Sequence, residues 1–288
     1  MAPPDELHAD DVLAVAAQLA SYRPALCCAV AELPRQAMAW DCGYANLSSV
    51  CATLASSRHP TRALGHVGGV VDLQRLLEAA WREGFDPDGA RHFRGKLAGK
   101  NGESAMIGAG EWVALLWHLR VEAFVVEVVD RRGAGTAVYR VASACFAQPA
   151  ADDEVVEVEE VSRKQRRIER SAAAWCGERP PLMLQHDGHS RTILGVLPAP
   201  LKYLIVRDPG DEPGRVRLLT PSELDGKQYQ IVVCGRTVAR GGATTGALTL
   251  SHEQVTRRLG RDPEPAAIWD GGMWMYSPWC QLRWSERA

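Results

Sequence analysis

The stretch WDCGYANLSSVCATL, residues 40–54, decides how this chain is read. Leu47, Val50, Cys51 and Leu54 recur at i, i+3, i+4 and i+7, the one-sided apolar pattern of an amphipathic helix. The pattern predicts a helix that begins at or just after Cys42. A thiol at that position feels the positive end of the helix dipole and the unpaired amides of the first turn, and both favour thiolate over thiol. The backbone N–H of Cys42 is then one natural donor to an oxyanion. A buried structural cysteine fits the same place, and these residues alone do not separate the two readings.

The second informative stretch is QHDGHSRT, residues 185–192. It reads as a polar loop leading into the strand TILGVL (192–197), which a short PAPLK segment joins to YLIVR (203–207). If those strands form a hairpin whose turn centres between residues 198 and 199, His189 lies across from Asp208. A slip of one residue leaves them diagonal neighbours. A carboxylate facing an imidazole fixes its tautomer and orientation, the logic of a nucleophile–base–orienter triad. His186 would need a turn centred inside the apolar run and is the weaker partner. His186 and His189 lack a clear third metal ligand, so a metal site is not expected. The order Cys42, His189, Asp208 matches papain-type enzymes, whose histidine and orienter follow the cysteine by about 130–150 residues. Gln36 precedes Cys42 by six residues and could supply a second oxyanion donor, or be an ordinary surface glutamine.

Around these stretches the chain reads as helices first and strands later, an α+β pattern. Helices are predicted over 11–20, 70–84 and 111–120, with a long Gly-rich loop over 85–108. Strands are predicted over 121–129, 182–185 and 229–234 besides the hairpin. We expect an N-terminal segment (1–24), a catalytic domain (25–238) with a charged insertion at about 150–172, and a Trp-rich extension (239–288). The insertion sets DDEVVEVEE before RKQRRIER and reads as a solvated face or a partner-binding arm. Ser251 and Gln254 could cap a short helix in the extension.

The 288 residues carry 33 basic and 35 acidic side chains, a net charge of -2, which speaks against direct nucleic-acid binding. No apolar run is long enough to span a bilayer, and the first residues read unlike a signal peptide. A cytoplasmic or nuclear monomer without cofactor is the expectation. None of the eight cysteines is in CxxC spacing, so they read as reduced thiols rather than a zinc ribbon or disulfide scaffold.

The motifs resemble a known family. WDCGYAN (40–46) is similar to the Trp-Gly-Cys-Gly-Tyr-Arg-Asn of the ZUFSP-type zinc-finger-containing ubiquitin peptidases, relatives of the proteases specific for the ubiquitin-fold modifier. The similarity continues in order through AAWREGFDPDGA (79–90), IGAGEWVALLWHLRVEAFVVEV (107–128), PLMLQHDGHSRTILGV (181–196), IVRDPG (205–210) and KQYQIVV (227–233). The zinc fingers and helical ubiquitin-binding arm of the long form are not recognisable in it.

The resemblance implies a papain-like α+β fold with the nucleophile at a helix N-terminus and His and Asp on an antiparallel sheet. It makes Cys42 nucleophile, His189 base and Asp208 orienter, and it implies cleavage of isopeptide bonds of ubiquitin or polyubiquitin. Asp86, Asp88 and Glu111 lie in the matching blocks and are the acids expected to meet the basic ubiquitin tail. Trp40 and Tyr44 are expected at the cleft wall. Asp208-Pro209 is followed by Gly210, where the modifier-specific branch carries the histidine of Asp-Pro-His. That favours ubiquitin and leaves His189 as the base. Asp41 and Ala45 stand where the family usually has Gly and Arg, and an acid at 41 is expected to oppose thiolate formation. The competing readings are a catalytically weakened ubiquitin-binding protein and a protease for another ubiquitin-like modifier.

Overall fold

A computed structural model describes residues 3–9, 12–20, 22, 26–27, 35–56, 69–119, 121–129, 131–147, 180–237 and 273–276. Its centre is an antiparallel sheet. The strands are β1 (Glu6–His8), β2 (Leu26–Cys27), β3 (Val121–Val128), β4 (Leu182–His186), β5 (His189–Leu197), β6 (Tyr203–Arg207), β7 (Arg215–Leu219), β8 (Tyr229–Thr237) and β9 (Met273–Tyr276). They lie in the order β1-β7-β6-β5-β4-β8-β3-β9, with β2 also paired to β5. The central strands β4 and β6 are mostly apolar and buried because both sheet faces are covered there, while β7 nearer the edge alternates buried and half-buried residues. Alternate residues part to opposite sides: Leu182 and Leu184 join one core and Met183 the other, as Ile231 and Val233 part from Val232.

The first core packs against α1 (Val12–Leu19) and α6 (Ala134–Ala147). The second packs α2 (Cys42–Ser56), α3 (Val70–Arg82), α4 (Pro87–His92) and α5 (Ala109–His118). The predicted α2 face is realised, with Leu47, Val50, Cys51 and Leu54 all buried. Trp112 of α5 donates its indole N–H to the Gly43 carbonyl at 3.0 Å, and Tyr44 donates its hydroxyl to Ala105 O at 2.6 Å. These bonds tie the start of α2 to the segment 105–112. Gly43 has no room for more: a Cβ there would stand 2.8 Å from Ile107 O.

Several sequence expectations change. Residues 186–191 are not a loop. Asp187 and Gly188, at φ 36° and 77°, make a two-residue turn between β4 and β5, the Asp-Gly signature of a tight hairpin. The 85–108 loop contains α4, capped by Asp86 and opened by Pro87, and a 3₁₀ turn at Gly102–Ala105. α6 and β7 were not read from sequence. The N-terminal segment is part of the domain: β1 pairs with β7, and Leu7, Val15 and Leu19 lie in the first core. The Trp-rich extension contributes β9, which pairs with β3 at the far edge of the sheet. The 152–170 charge runs and the 251–254 capping box lie outside the described residues.

Candidate active site

Three elements converge on one corner. α2 supplies Cys42 as its first residue, β5 supplies His189, and the turn after β6 supplies Asp208. His189 Nε2 lies 2.9 Å from Asp208 Oδ2. The expected direct opposition is corrected to a diagonal one. The β5–β6 pairs run from Leu197–Tyr203 to Thr192–Arg207, with a bulge between Ile193 and Gly195. One step further sets Asp208 across from Arg191, with His189 two residues along β5. The turn is longer than expected, and the bulge recovers one residue of the difference. A diagonal pair is still within reach of an imidazole and a carboxylate.

Asp208 is held from all sides. Arg191 Nε donates to the same Oδ2 at 2.9 Å, and Gly210 N–H donates to Oδ1 at 3.0 Å. Buried Arg207 fixes the turn by donating to the carbonyls of Arg215 at 3.0 Å and Asp211 at 3.4 Å. Burial pushes the Asp208 carboxyl up, but the bond and charge of His189, the Gly210 N–H and Arg191 leave it well below the usual carboxylate range. Arg191 was not singled out from sequence.

With Nε2 committed to Asp208, Nδ1 is the His189 nitrogen left for the thiol. The two side chains stand close enough for each to shift the titration of the other. The bond to Asp208, then the bond to Cys42 and both their charges, raise His189 to about 9 against the pull of burial. Burial is also the largest influence on Cys42 and pushes its thiol up. Hydrogen bonds from His189 and from the side chain and backbone of Ser190, with the His189 charge, outweigh it and hold the thiol below its ordinary value. Cys51, buried without such partners, is pushed up to about 12, and burial drives Cys234 upward too. Each partner thus favours the charged form of the other, the direction expected for a thiol activated by a neighbouring imidazole.

His186 faces His189 across the hairpin, with ring centroids 5.9 Å apart, and also meets Tyr229 edge-on. Burial, then the charges of Lys227 and Arg191, lower it to about 4. It is a neutral ring at the flank of His189. No group of three or more metal-binding side chains occurs among the described residues.

The expected effect of Asp41 is corrected. Its buried carboxylate accepts the backbone N–H groups of Ala37 and Met38, each at 3.1 Å, and none of the leading influences on Cys42 comes from it. It fixes the loop leading to Cys42. Asp41→Gly should therefore lose stability, by about 1–3 kcal/mol for charge-assisted bonds of this kind. The pH midpoint of Cys42 alkylation should stay near wild type; thermal unfolding and a thiol titration check both.

The remaining sequence candidates separate. Tyr44 is 1% exposed with its hydroxyl spent on Ala105, so it is core rather than cleft wall. Half-buried Trp40 packs edge-on against it, centroids 5.9 Å apart. Asp86 is buried and is no open acid: it caps α4 through Gly89 N–H at 3.0 Å and takes the Trp81 indole N–H at 3.4 Å. Glu111 is internal as well and accepts Gly108 N–H at 2.8 Å; burial, and secondarily the Asp86 charge, raise its carboxyl. Exposed Asp88 is ion-paired with Arg91. Gln36 donates its backbone N–H to Pro209 O at 3.0 Å. Its side-chain Oε1 is buried with no partner among the described residues, and its amide group lies beside Gly210.

The sequence pattern of Peptidase family C78 matches residues 34–217, a span that includes Cys42, His189 and Asp208. The chain belongs to this family. Membership of this peptidase family places the chain among the cysteine-type hydrolases. The chain is also 29% identical over 239 residues to zinc finger-containing ubiquitin peptidase 1 of Bos taurus, covering 76% of this chain and 36% of that protein. The Homo sapiens protein of the same name is 28% identical over the same shares, and that of Rattus norvegicus 30% identical over 213 residues, 67% of this chain. The match spans little more than a third of those relatives' length. A crystal structure of UfSP from C. elegans aligns over 76% of this chain and 37% of its own, with 12% identity and a TM-score of 0.43.

Proposed function

We propose that this C78 domain is a deubiquitinating cysteine protease that cleaves isopeptide bonds of ubiquitin conjugates. The observation that carries the reading is the Cys42–His189–Asp208 line, in which a thiol that is lowered, where those of Cys51 and Cys234 are raised, stands beside a raised histidine bonded to a carboxylate. The ubiquitin peptidases it resembles support the substrate class.

In this mechanism the Cys42 thiolate attacks the carbonyl carbon of ubiquitin's terminal glycine. The backbone N–H of Cys42 and the Gln36 amide hold the oxyanion. The His189 imidazolium gives its proton to the departing lysine amine, leaving a thioester and a neutral ring. That ring takes a proton from water, which attacks the thioester and restores the thiolate. Asp208 and Arg191 keep the ring in one tautomer throughout.

Parallel electrophilic probes ending in the tail of ubiquitin and of other ubiquitin-like modifiers test the reading. Labelling of Cys42 by the ubiquitin probe is expected. Exclusive labelling by another modifier's probe transfers the assignment to that modifier, and ubiquitin binding without labelling or cleavage makes the domain a binder instead.

A further inference from the structure

Directly beneath the nucleophile lies a buried polar chain that the mechanism above does not use. Thr192 donates its hydroxyl to Asn46 Oδ1 at 2.6 Å, and Asn46 Nδ2 donates to Ser190 Oγ at 3.1 Å. The three side chains are 2%, 2% and 1% exposed. Their placement follows from two periodicities. Cys42 and Asn46 are i and i+4 on α2, so they share one helix face. Ser190 and Thr192 are i and i+2 on β5, so they share one strand face. The two faces meet with every polar atom directed.

The direction matters. Asn46 spends its carbonyl oxygen on Thr192, so it can only donate to Ser190. Ser190 Oγ, acting there as acceptor, keeps its own proton for another partner, and the neighbouring acceptor is the Cys42 sulfur. Ser190 stands close enough to Cys42 for its side chain and its backbone both to lower the pKa of the thiol. We infer that Thr192, Asn46 and Ser190 form a one-way hydrogen-bond relay that presents the Ser190 hydroxyl to the Cys42 thiolate, making Ser190 and Asn46 positioning residues of the nucleophile. The inference rests on Cys42 being the nucleophile.

The relay does two things. It supplies donors to a buried anion that would otherwise depend on His189 alone, so thiolate persists when His189 leaves to protonate the amine. It also fixes the sulfur between the hydroxyl and the N–H of Ser190, holding one attack geometry. A chain with the carboxamide reversed would do neither. Asn46 would then donate to Thr192 and accept from Ser190, and the Ser190 proton would point away from the sulfur.

The test is the pH dependence of Cys42 alkylation by iodoacetamide in the full chain, read by mass spectrometry at the Cys42 peptide. Ser190→Ala removes the last donor. Thr192→Val acts two bonds away and frees the carboxamide to reverse. Asn46→Asp can only accept from Ser190, so it turns the hydroxyl away and adds negative charge. Each should raise the alkylation midpoint by about one pH unit, with Asn46→Asp largest, and lower kcat on a ubiquitin C-terminal substrate about tenfold with KM unchanged. Ser190→Thr and Thr192→Ser keep their hydroxyls and should retain the wild-type midpoint. A midpoint unchanged in folded Thr192→Val and Ser190→Ala overturns the relay, and so does a loss of thermal stability with no shift. If wild type cleaves no ubiquitin substrate but the midpoints move, the relay stands and the ubiquitin reading falls. If wild-type Cys42 titrates as an ordinary thiol, the nucleophile assignment fails and the relay with it.

Discussion

Cys42→Ala should abolish turnover of any ubiquitin C-terminal substrate while leaving the domain folded and able to bind ubiquitin. Loss of the nucleophile in a preorganised protease costs about 10⁶-fold in kcat, below detection for most assays. Cys42 is only 3% exposed and begins a helix whose face is carried by Leu47, Val50, Cys51 and Leu54. Removing one sulfur at the helix start therefore leaves the core untouched. A second readout is independent of substrate. The bond to Cys42 is the second largest influence raising His189, so the His189 pKa, followed by NMR, should fall in the variant. Residual cleavage comparable to wild type would move the nucleophile elsewhere. A His189 pKa that stays put would break the ion pair as described.

Asp208→Asn should lower kcat/KM by about 10³–10⁴, the range seen when the orienting carboxylate of a catalytic triad is neutralised, and should narrow the pH window of activity. The active form carries thiolate and imidazolium, so the acid limb reports formation of the thiolate and the alkaline limb reports loss of the His189 proton. With Asp208 present the alkaline limb is expected near the raised His189 value of about 9. Its largest cause is the bond to Asp208, so the asparagine should move that limb toward the ordinary histidine value of 6.5.

Stability follows with a definite sign. His189 has a raised folded pKa, so its contribution is complete below its unfolded value and is lost as pH rises through about 9. Asp208 has a lowered folded pKa, so its contribution is present above its unfolded value of 3.8 and is lost as pH falls into the acid range. In Asp208→Asn both slopes should flatten, and denaturant titrations at acid, neutral and alkaline pH check this. The variant also leaves the Arg191 guanidinium facing a neutral amide, which adds to the destabilisation at neutral pH.

The sequence was informative where a periodicity or a chemical type constrained the answer. The i, i+3, i+4, i+7 spacing set the face of α2 and placed Cys42 at its head, because a helix buries a stripe and exposes its end. The apolar runs around 182–207 gave the sheet, and the short 198–202 connection brought His189 near Asp208. The Asp-Gly of residues 187–188 is itself a tight-hairpin signature, which the polar residues around it obscure. Local sequence could not give the bulge near Leu194, because the pairing of two strands is settled by both their neighbours.

The sequence by itself thus determined the helix start at Cys42, an antiparallel sheet, and a histidine and an aspartate close enough to pair. Only the tertiary structure decided the charge state of that site and the work of its neighbours. Asp41 looked like an anion beside a thiol until its carboxylate was found bound to Ala37 and Met38. Asp86 and Glu111 looked like surface acids until both proved to cap helices. Arg191, Ser190, Asn46 and Thr192 carry no catalytic signature of their own, since what each does depends on the atom it faces. Which atoms face one another is set by how α2 meets β5, and that depends on packing across residues far apart in the chain.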